Sequence, residues 1–345
     1  MRDLPLLATM GVGSYATPGW LFHFRDGMRH GAAGPIDVDE AFEDATRIAV
    51  ADQIEAGVDV ISDGELRRMR FVYEMYDRMT GLERRASERR LGVPGYDRAP
   101  HFSAADQVEA PQGLGIVREF RQLAALVPDL PLKVAFPGPL TFARNIAPGG
   151  YYGDGGQDAL LADITAIVHD EVEGLAAAGA DFIQLDEPGF ANPPEGVSVE
   201  AGAEIVNAAL QGHEDVAAVH VCFGNNASRP YVRRDFGRLF PGLDRLNCAM
   251  LLLEFANREM ADLDRLPELA ARYRIAAGVI DVKSFHEESA GEVAARIRKV
   301  LEYVPAEKLS VTADCGFSAI PRWLARRKQE AMVAGARIVR ADLGG

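Results

Sequence analysis

His220 and Cys222 stand two positions apart in a run of small and β-branched residues, Ala217-Ala218-Val219-His220-Val221-Cys222. Side chains two apart on a β-strand share a face. This pair can therefore present an imidazole and a thiolate to one point. A further sulfur, Cys315, lies in Asp314-Cys315-Gly316, and a carboxylate, Glu254, closes the run Leu251-Leu252-Leu253. One imidazole, two thiolates and one carboxylate suit a tetrahedral Zn2+ ion. A His-x-Cys pair alone is more often two buried strand residues. It gains weight because a second cysteine and a glutamate close neighbouring strands. Other chemistry-bearing residues fall at similar places: Ser14, Glu65, Asp186 and Lys283 each follow or end a short apolar run. Cys248 lies six residues before Glu254, about 20 Å back along an extended strand, and is expected to pack in the core. The remaining histidines fall in loops or helices. Of these, His23 and His286 follow strand ends.

Eight short apolar segments must hold these residues: 6–13, 58–62, 132–136, 182–185, 217–222, 249–254, 275–280 and 309–312. Amphipathic stretches at 39–56, 157–178, 199–210, 259–273, 289–304 and 322–334 read as helices between them, with Gly57, Gly179 and Gly335 as C-terminal caps. Eight strands alternating with helices predict one α/β domain over 1–345, a parallel (β/α)8 TIM barrel. A doubly wound sheet is the weaker alternative. After the first segment, Gly11-Val12-Gly13-Ser14-Tyr15-Ala16 lacks the third glycine of a dinucleotide loop. In a barrel the chemistry sits at the C-terminal ends of the strands, which is where the polar residues fall. Two segments exceed what a barrel needs. Residues 68–112 predict a loop or hairpin excursion after strand two. Residues 145–156, with Tyr151 and Tyr152 among glycines, suit a lid. Trp20, Arg25 and Arg67 are candidates to line the mouth.

Composition narrows the function classes. The 345 residues carry 37 Lys and Arg against 51 Asp and Glu, a formal charge of −14. The short arginine pairs have acids close by, so no nucleic-acid partner is expected. No apolar run approaches about 18 residues, and the first residues lack a secretory pattern. Three cysteines do not make a disulfide scaffold. A cytoplasmic enzyme without a membrane partner is the expectation.

Taken together, these residues resemble the catalytic domain of the cobalamin-independent methionine synthases and their short stand-alone relatives. The matching segments are Gly13-Ser14-Tyr15, GVDVISDGE (57–65), FPGPLT (136–141), IQLDEP (183–188), HVCFGN (220–225), LLLEFANR (251–258), GVIDVKS (278–284) and DCG (314–316). They run in family order along nearly the whole chain. The epoxyalkane:coenzyme M transferases share the layout. The resemblance implies zinc on His220, Cys222, Glu254 and Cys315, with a small-molecule thiol as acceptor. It implies that Ser14, Glu65 and Asp186 hold homocysteine, with Tyr15 beside Ser14. Two carboxylates can pair with an α-ammonium, and a serine hydroxyl with backbone amides can take a carboxylate. Coordination to zinc would stabilise the nucleophilic thiolate. Glu254, the odd oxygen ligand, is the candidate to yield its place to the thiol.

Two departures bear on the donor. Full-length synthases of this type carry a second, N-terminal barrel that contributes to folate binding, and this sequence does not include it. The family's Asp-Ile-His-Ser segment is here Asp281-Val282-Lys283-Ser284, so Lys283 replaces a proton-donating histidine. Both point away from simple folate and leave room for a corrinoid donor protein. A second reading is addition of a coenzyme M-like thiol to an epoxide. Its sulfonate would need Arg67, Arg68 or Lys283 at the mouth. A barrel that only stores zinc leaves the carboxylate pair without a role.

Overall fold

The structure, a computed structural model, describes residues 4–68, 73–86, 101–153, 155–225, 229–230 and 232–344. Among these the chain forms nine strands: β1 (Thr80–Arg85), β2 (His101–Glu109), β3 (Val134–Pro137), β4 (Ile146–Ala147), β5 (Ile183–Asp186), β6 (Ala217–Val221), β7 (Met250–Glu254), β8 (Arg274–Ile280) and β9 (Leu309–Ala313). Six of them pair in parallel in the order β3-β5-β6-β7-β8-β9. Parallel bridges Thr9↔Val311, Met10↔Val60 and Ile61↔Leu132 carry the pairing on through the first two expected strands and back to the segment before β3. The architecture is therefore the expected parallel α/β barrel.

Segments one and two contribute single bridges because side chains take up their backbone groups. Lys133 Nζ donates to the carbonyls of Gly11 and Val12, and Asp59 Oδ2 accepts from Thr9 N at 2.7 Å. Side-chain bonds there stand in for ladder bonds.

Strand parity sorts the side chains. Ala217, Val219, Val221, Leu251, Leu253, Val311 and Ala313 face the helices and join the main core. The alternate positions point inward. Met10, Val60, Phe182, Ala218, Met250, Leu252 and Ala276 make a separate small apolar cluster that fills the barrel floor. Two residues further along the same inward rows lie Gln184, His220 and Glu254, and Asp186 follows Gln184 by two more. The segment before and in β3 contributes Lys133 and Ala135, and β9 contributes Ser310 and Thr312. The polar site thus stands on an apolar plug.

The helices largely follow the expected pattern. Pro35–Ala56 ends at Gly57 with φ 81°, and Gln157–Ala177 is followed by Gly179 at φ 88°. Val199–Leu210 begins at Ser198, whose hydroxyl accepts from Ala201 N. Two helices differ from expectation. The last runs Arg322–Asp342, straight through Gly335. A Cβ on Gly335 would lie 2.5 Å from Val293 Cγ1, so this glycine serves close packing against the helix Ala290–Leu301 and not termination. In 259–273 only Leu266–Arg272 is α-helical, because Glu259, Met260 and Asp262 adopt positive φ, which breaks a right-handed helix.

The excursion after strand two is an antiparallel hairpin of β1 and β2, with β4 added parallel to β2. Residues 69–72 and 87–100 of the expected 68–112 excursion lie outside the described residues. The 145–156 segment is built into this sheet. Tyr152 Oη donates to Asp163 Oδ2 at 2.5 Å and accepts from Val108 N at 3.0 Å, so this tyrosine anchors the segment and is not a free lid residue. Among the described residues no helix is long and apolar enough to cross a membrane.

Candidate metal and thiol site

The ends of β6 and β9 bring His220, Cys222 and Cys315 together. Their ligand atoms all lie within 4.8 Å of one another, and the two sulfurs are 3.8 Å apart. Both ring nitrogens of His220 are buried with no hydrogen-bond partner. Buried polar atoms are rarely left so, and a cation facing the imidazole would resolve this one. The two thiols are hydrogen-bonded to each other. Hydrogen bonding from Cys222 holds Cys315 well below the ordinary thiol range, while the same contact and burial push Cys222 well above it. A centre that already favours one thiolate is suited to a soft cation.

Glu254 ends β7, fully buried. Its Oε2 accepts from Lys283 Nζ at 2.7 Å, and its Oε1 has no partner. It does not fall within the His-Cys-Cys group. Lys283, expected as an acid, is thus committed to a carboxylate. Burial opposes its charge, but Glu254 and the two cysteines outweigh this and raise its pKa.

One residue absent from the sequence-based site organises this corner. Asp314 is fully buried. Its Oδ1 accepts from Phe255 N (2.8 Å) and Ala256 N (2.9 Å), and its Oδ2 from Asn257 N (2.7 Å) and Asn257 Nδ2 (2.8 Å). It fastens the turn after Glu254 to the residue before Cys315. Burial and the Glu254 carboxylate push it up to about 7 against these donors. Asp314→Ala is expected to cost about 3 kcal/mol or more in urea unfolding, since several buried N–H groups lose a charged acceptor. It should also weaken metal binding.

The opposite wall carries Glu65. It sits at φ 56° after Gly64 at φ 67°, and Asp63 Oδ1 accepts its N–H at 2.9 Å. A non-glycine residue in the left-handed region is strained, and such strain concentrates at functional positions. Both Glu65 carboxylate oxygens are buried without a hydrogen-bond partner, with Arg68 Nη1 3.7 Å away. Burial pushes Glu65 well above the usual carboxylate range; Arg68 pulls it down, and Asp186 and Asp63 add to the rise. A cationic ligand would relieve this burial. Asp186 accepts from Gln184 Nε2 at 2.6 Å, and burial lifts it to about 6 although His220 opposes the rise. Beneath them Lys133 Nζ bonds the Val12 carbonyl (2.7 Å) and Gln184 Oε1 (2.9 Å), fixing the rim that carries Ser14. Ser14 O accepts from Phe317 N at 2.7 Å, and its hydroxyl lies against Gly316, beside Cys315.

Gly13 is required by close approach. A Cβ there would lie 2.3 Å from Glu65 Oε1 and 3.2 Å from Ala135 Cβ. Gly13→Ala should displace Glu65 and weaken binding of a cationic thiol by about tenfold or more. The expected destabilisation is about 1–3 kcal/mol, read by ligand titration and thermal unfolding.

Several expected mouth residues lie elsewhere. Tyr15 is buried in the layer between barrel and helices, its hydroxyl 2.9 Å from Asp52 Oδ2 and its ring edge-on to Phe317, so its side chain is structural. Arg67 lines a groove with Glu43 and Gln122. Arg68 is buried, bonded to Glu119 (2.8 Å) and the Ala135 carbonyl (3.0 Å), and Arg25 bonds the Arg68 carbonyl. Trp20 is exposed. His286 pairs with Glu292 at the surface, and Cys248 Sγ bonds the Met250 carbonyl at 3.4 Å.

A parallel α/β barrel with a His-Cys-Cys cluster and two buried carboxylates at its mouth is an enzyme scaffold with a metal-capable thiol centre. The chain matches the family described as cobalamin-independent synthase, catalytic domain, over residues 7–338. It is 33% identical over 346 residues to a methionine synthase of Saccharolobus solfataricus, covering 99% of this chain and 98% of that protein. It is 32% identical over 341 residues to one from Thermococcus kodakarensis, with 99% and 96% covered. The solved B12-independent methionine synthase of Shewanella sp. W3-18-1, in complex with selenomethionine, superposes with a TM-score of 0.81 at 26% identity, covering 98% of this chain and 99% of that one. The chain belongs to the cobalamin-independent methionine synthase catalytic-domain family. That membership removes the support for a corrinoid donor protein.

Proposed function

We propose that this protein transfers a methyl group to the thiol of homocysteine or a close analogue, giving a methionine-type thioether, with zinc as its metal. The observation that carries the reading is the pairing of two unmet needs across one mouth. The His220 nitrogens, without a hydrogen bond, sit beside two cysteines on one side, and the Glu65 carboxylate, without a hydrogen bond and with Arg68 Nη1 3.7 Å away, sits on the other. A thiol amino acid satisfies both, with sulfur at the first and ammonium at the second. The selenomethionine held by the Shewanella relative likewise carries an α-ammonium, with a methylated selenium in place of the sulfur.

His220, Cys222 and Cys315 would hold the zinc, with Glu254 Oε1 as a fourth donor. The metal supplies stabilisation of the acceptor as a thiolate at neutral pH. The chain does the rest. Glu65 and Asp186 take the ammonium, and the Ser14 hydroxyl and the adjoining backbone take the carboxylate. The apolar floor that includes Leu252 and Ala276 excludes water from beneath the reacting sulfur. Coupling of both ends fixes the sulfur on the metal side of the mouth, so the methyl donor must approach from the open rim.

The epoxide reading with a sulfonate thiol loses ground, because Arg68 and Lys283 are held by carboxylates and Arg67 faces a groove between helices. Calorimetry of zinc-loaded protein tests the choice. Homocysteine should bind with release of about one proton per thiol, read from buffers of different ionisation enthalpy. Mercaptoethanesulfonate should bind at least about tenfold more weakly. Preference for the sulfonate, or homocysteine binding unchanged after zinc removal, would overturn the proposal.

A further inference from the structure

Lys283 stands where the resemblance implies a histidine, and what it touches gives it a different task. Its Nζ lies 2.7 Å from Glu254 Oε2, with the lysine side chain 6% exposed and the glutamate 0%. The other oxygen, Oε1, is buried and unpartnered. His220, Cys222 and Cys315 already converge without Glu254. A carboxylate with one oxygen held by an ammonium can offer a metal only the other. Its charge is also shared with the ammonium, which weakens it as a ligand. The positive charge of Lys283, close to both cysteines, further disfavours tight cation binding.

We propose that Lys283 is a positioning residue that restrains Glu254 to one-oxygen, exchangeable ligation, so that three donors hold the metal and the fourth place stays open to the substrate thiol. The inference rests on the zinc reading above and adds a specific reason why Glu254 is the donor that yields. Without Lys283, Glu254 would be a buried, unpaired carboxylate beside a cation. Such a group ligates firmly and resists displacement.

The test uses the full chain loaded with Co2+, whose visible bands report coordination. Metal affinity is measured by competition with a chromophoric chelator, and the bands are followed while homocysteine is added. Lys283→Met should bind Co2+ about tenfold or more tightly, the weight of one charge-assisted hydrogen bond to a buried ligand. It should need a correspondingly higher homocysteine concentration for half of the spectral change. Lys283→Arg, which keeps a cation on Glu254, should return both values towards those of the unsubstituted protein. Adding Glu254→Gln to Lys283→Met should abolish the gain in affinity. If Lys283→Met does not fold, Lys283→Gln makes the same comparison with a smaller shift. Unchanged affinity and thiol response in a folded Lys283→Met or Lys283→Gln protein overturn the inference and leave the zinc reading standing. Weakened affinity there does the same. Failure of the unsubstituted protein to take up Co2+ or Zn2+ overturns both.

Discussion

Cys315→Ser should lower zinc content from about one per chain to near zero and reduce thiol methylation by at least about 100-fold, the scale at which even outer partners of a metal site matter. A serine hydroxyl does not ionise near neutral pH, so the substitution removes a charged soft donor while changing volume little. The cluster then has one imidazole and one thiol within 4.8 Å where it had three donors. Cys222 also loses its hydrogen-bond partner 3.8 Å away. Thermal unfolding of the metal-free protein should move little, because Cys315 is only partly buried and the Asp314 bonds to the β7 turn remain. Cys248→Ser is the control. Its thiol bonds a backbone carbonyl inside the barrel wall, and its loss should leave zinc unchanged. Elemental analysis of the three proteins decides the matter: full zinc in Cys315→Ser would falsify the metal assignment.

The parts of this site that sequence made legible are those fixed by strand parity. Inward positions on β6 and β7 follow from alternation alone, and that places His220, Cys222 and Glu254 on one rim. The family resemblance supplied Glu65 and Asp186, and the structure puts both at the mouth. What sequence did not reveal are partners reached through a turn. Asp314 stood in view as part of Asp-Cys-Gly, yet its role depends on three backbone N–H groups of residues 255–257, nearly sixty positions earlier. Lys133 read as part of an apolar strand. Only the curvature of the barrel shows its ammonium beneath the Gly11 and Val12 carbonyls. Tyr15 was expected beside Ser14 from the resemblance alone; successive residues point to opposite sides, and its hydroxyl lies 2.9 Å from Asp52 Oδ2. Gly335 failed because a glycine that ends a helix and a glycine that lets two helices touch look alike in one sequence. The Lys283–Glu254 pair was hidden for a related reason. Lys283 in the place of a histidine reads as an acid or an anion partner until the neighbouring strand is seen to end in a buried carboxylate 2.7 Å from its ammonium.

Glu65→Gln should separate recognition of the acceptor from the metal chemistry. Zinc content stays at the unsubstituted level, because Glu65 is not among the metal donors. Homocysteine binding weakens by about 30-fold or more, since truncating one partner of a buried charge pair typically costs about 2–5 kcal/mol. A des-amino analogue, 4-mercaptobutyrate, presents the same sulfur and carboxylate without the ammonium, and its binding should be unchanged or improved. The stability consequence has a definite sign. Glu65 is buried with no hydrogen bond to its carboxylate oxygens, and burial raises its pKa well above the ordinary 4.5 although Arg68 opposes the rise. A carboxyl raised in the folded state costs stability as pH rises past its unfolded value, and the cost reaches its full size above the folded value. Glutamine carries no such cost. The ligand-free variant should therefore melt at the same or a higher temperature at neutral pH, and homocysteine should no longer raise the melting temperature as it does in the unsubstituted protein. Asp186→Asn gives the complementary check, because Asp186 lies beside His220 in the β5–β6 register and its loss should disturb both ammonium binding and the metal. If Glu65→Gln weakens homocysteine and 4-mercaptobutyrate equally, the carboxylate does not read the ammonium. Its strained, desolvated placement would then need another cation to explain it.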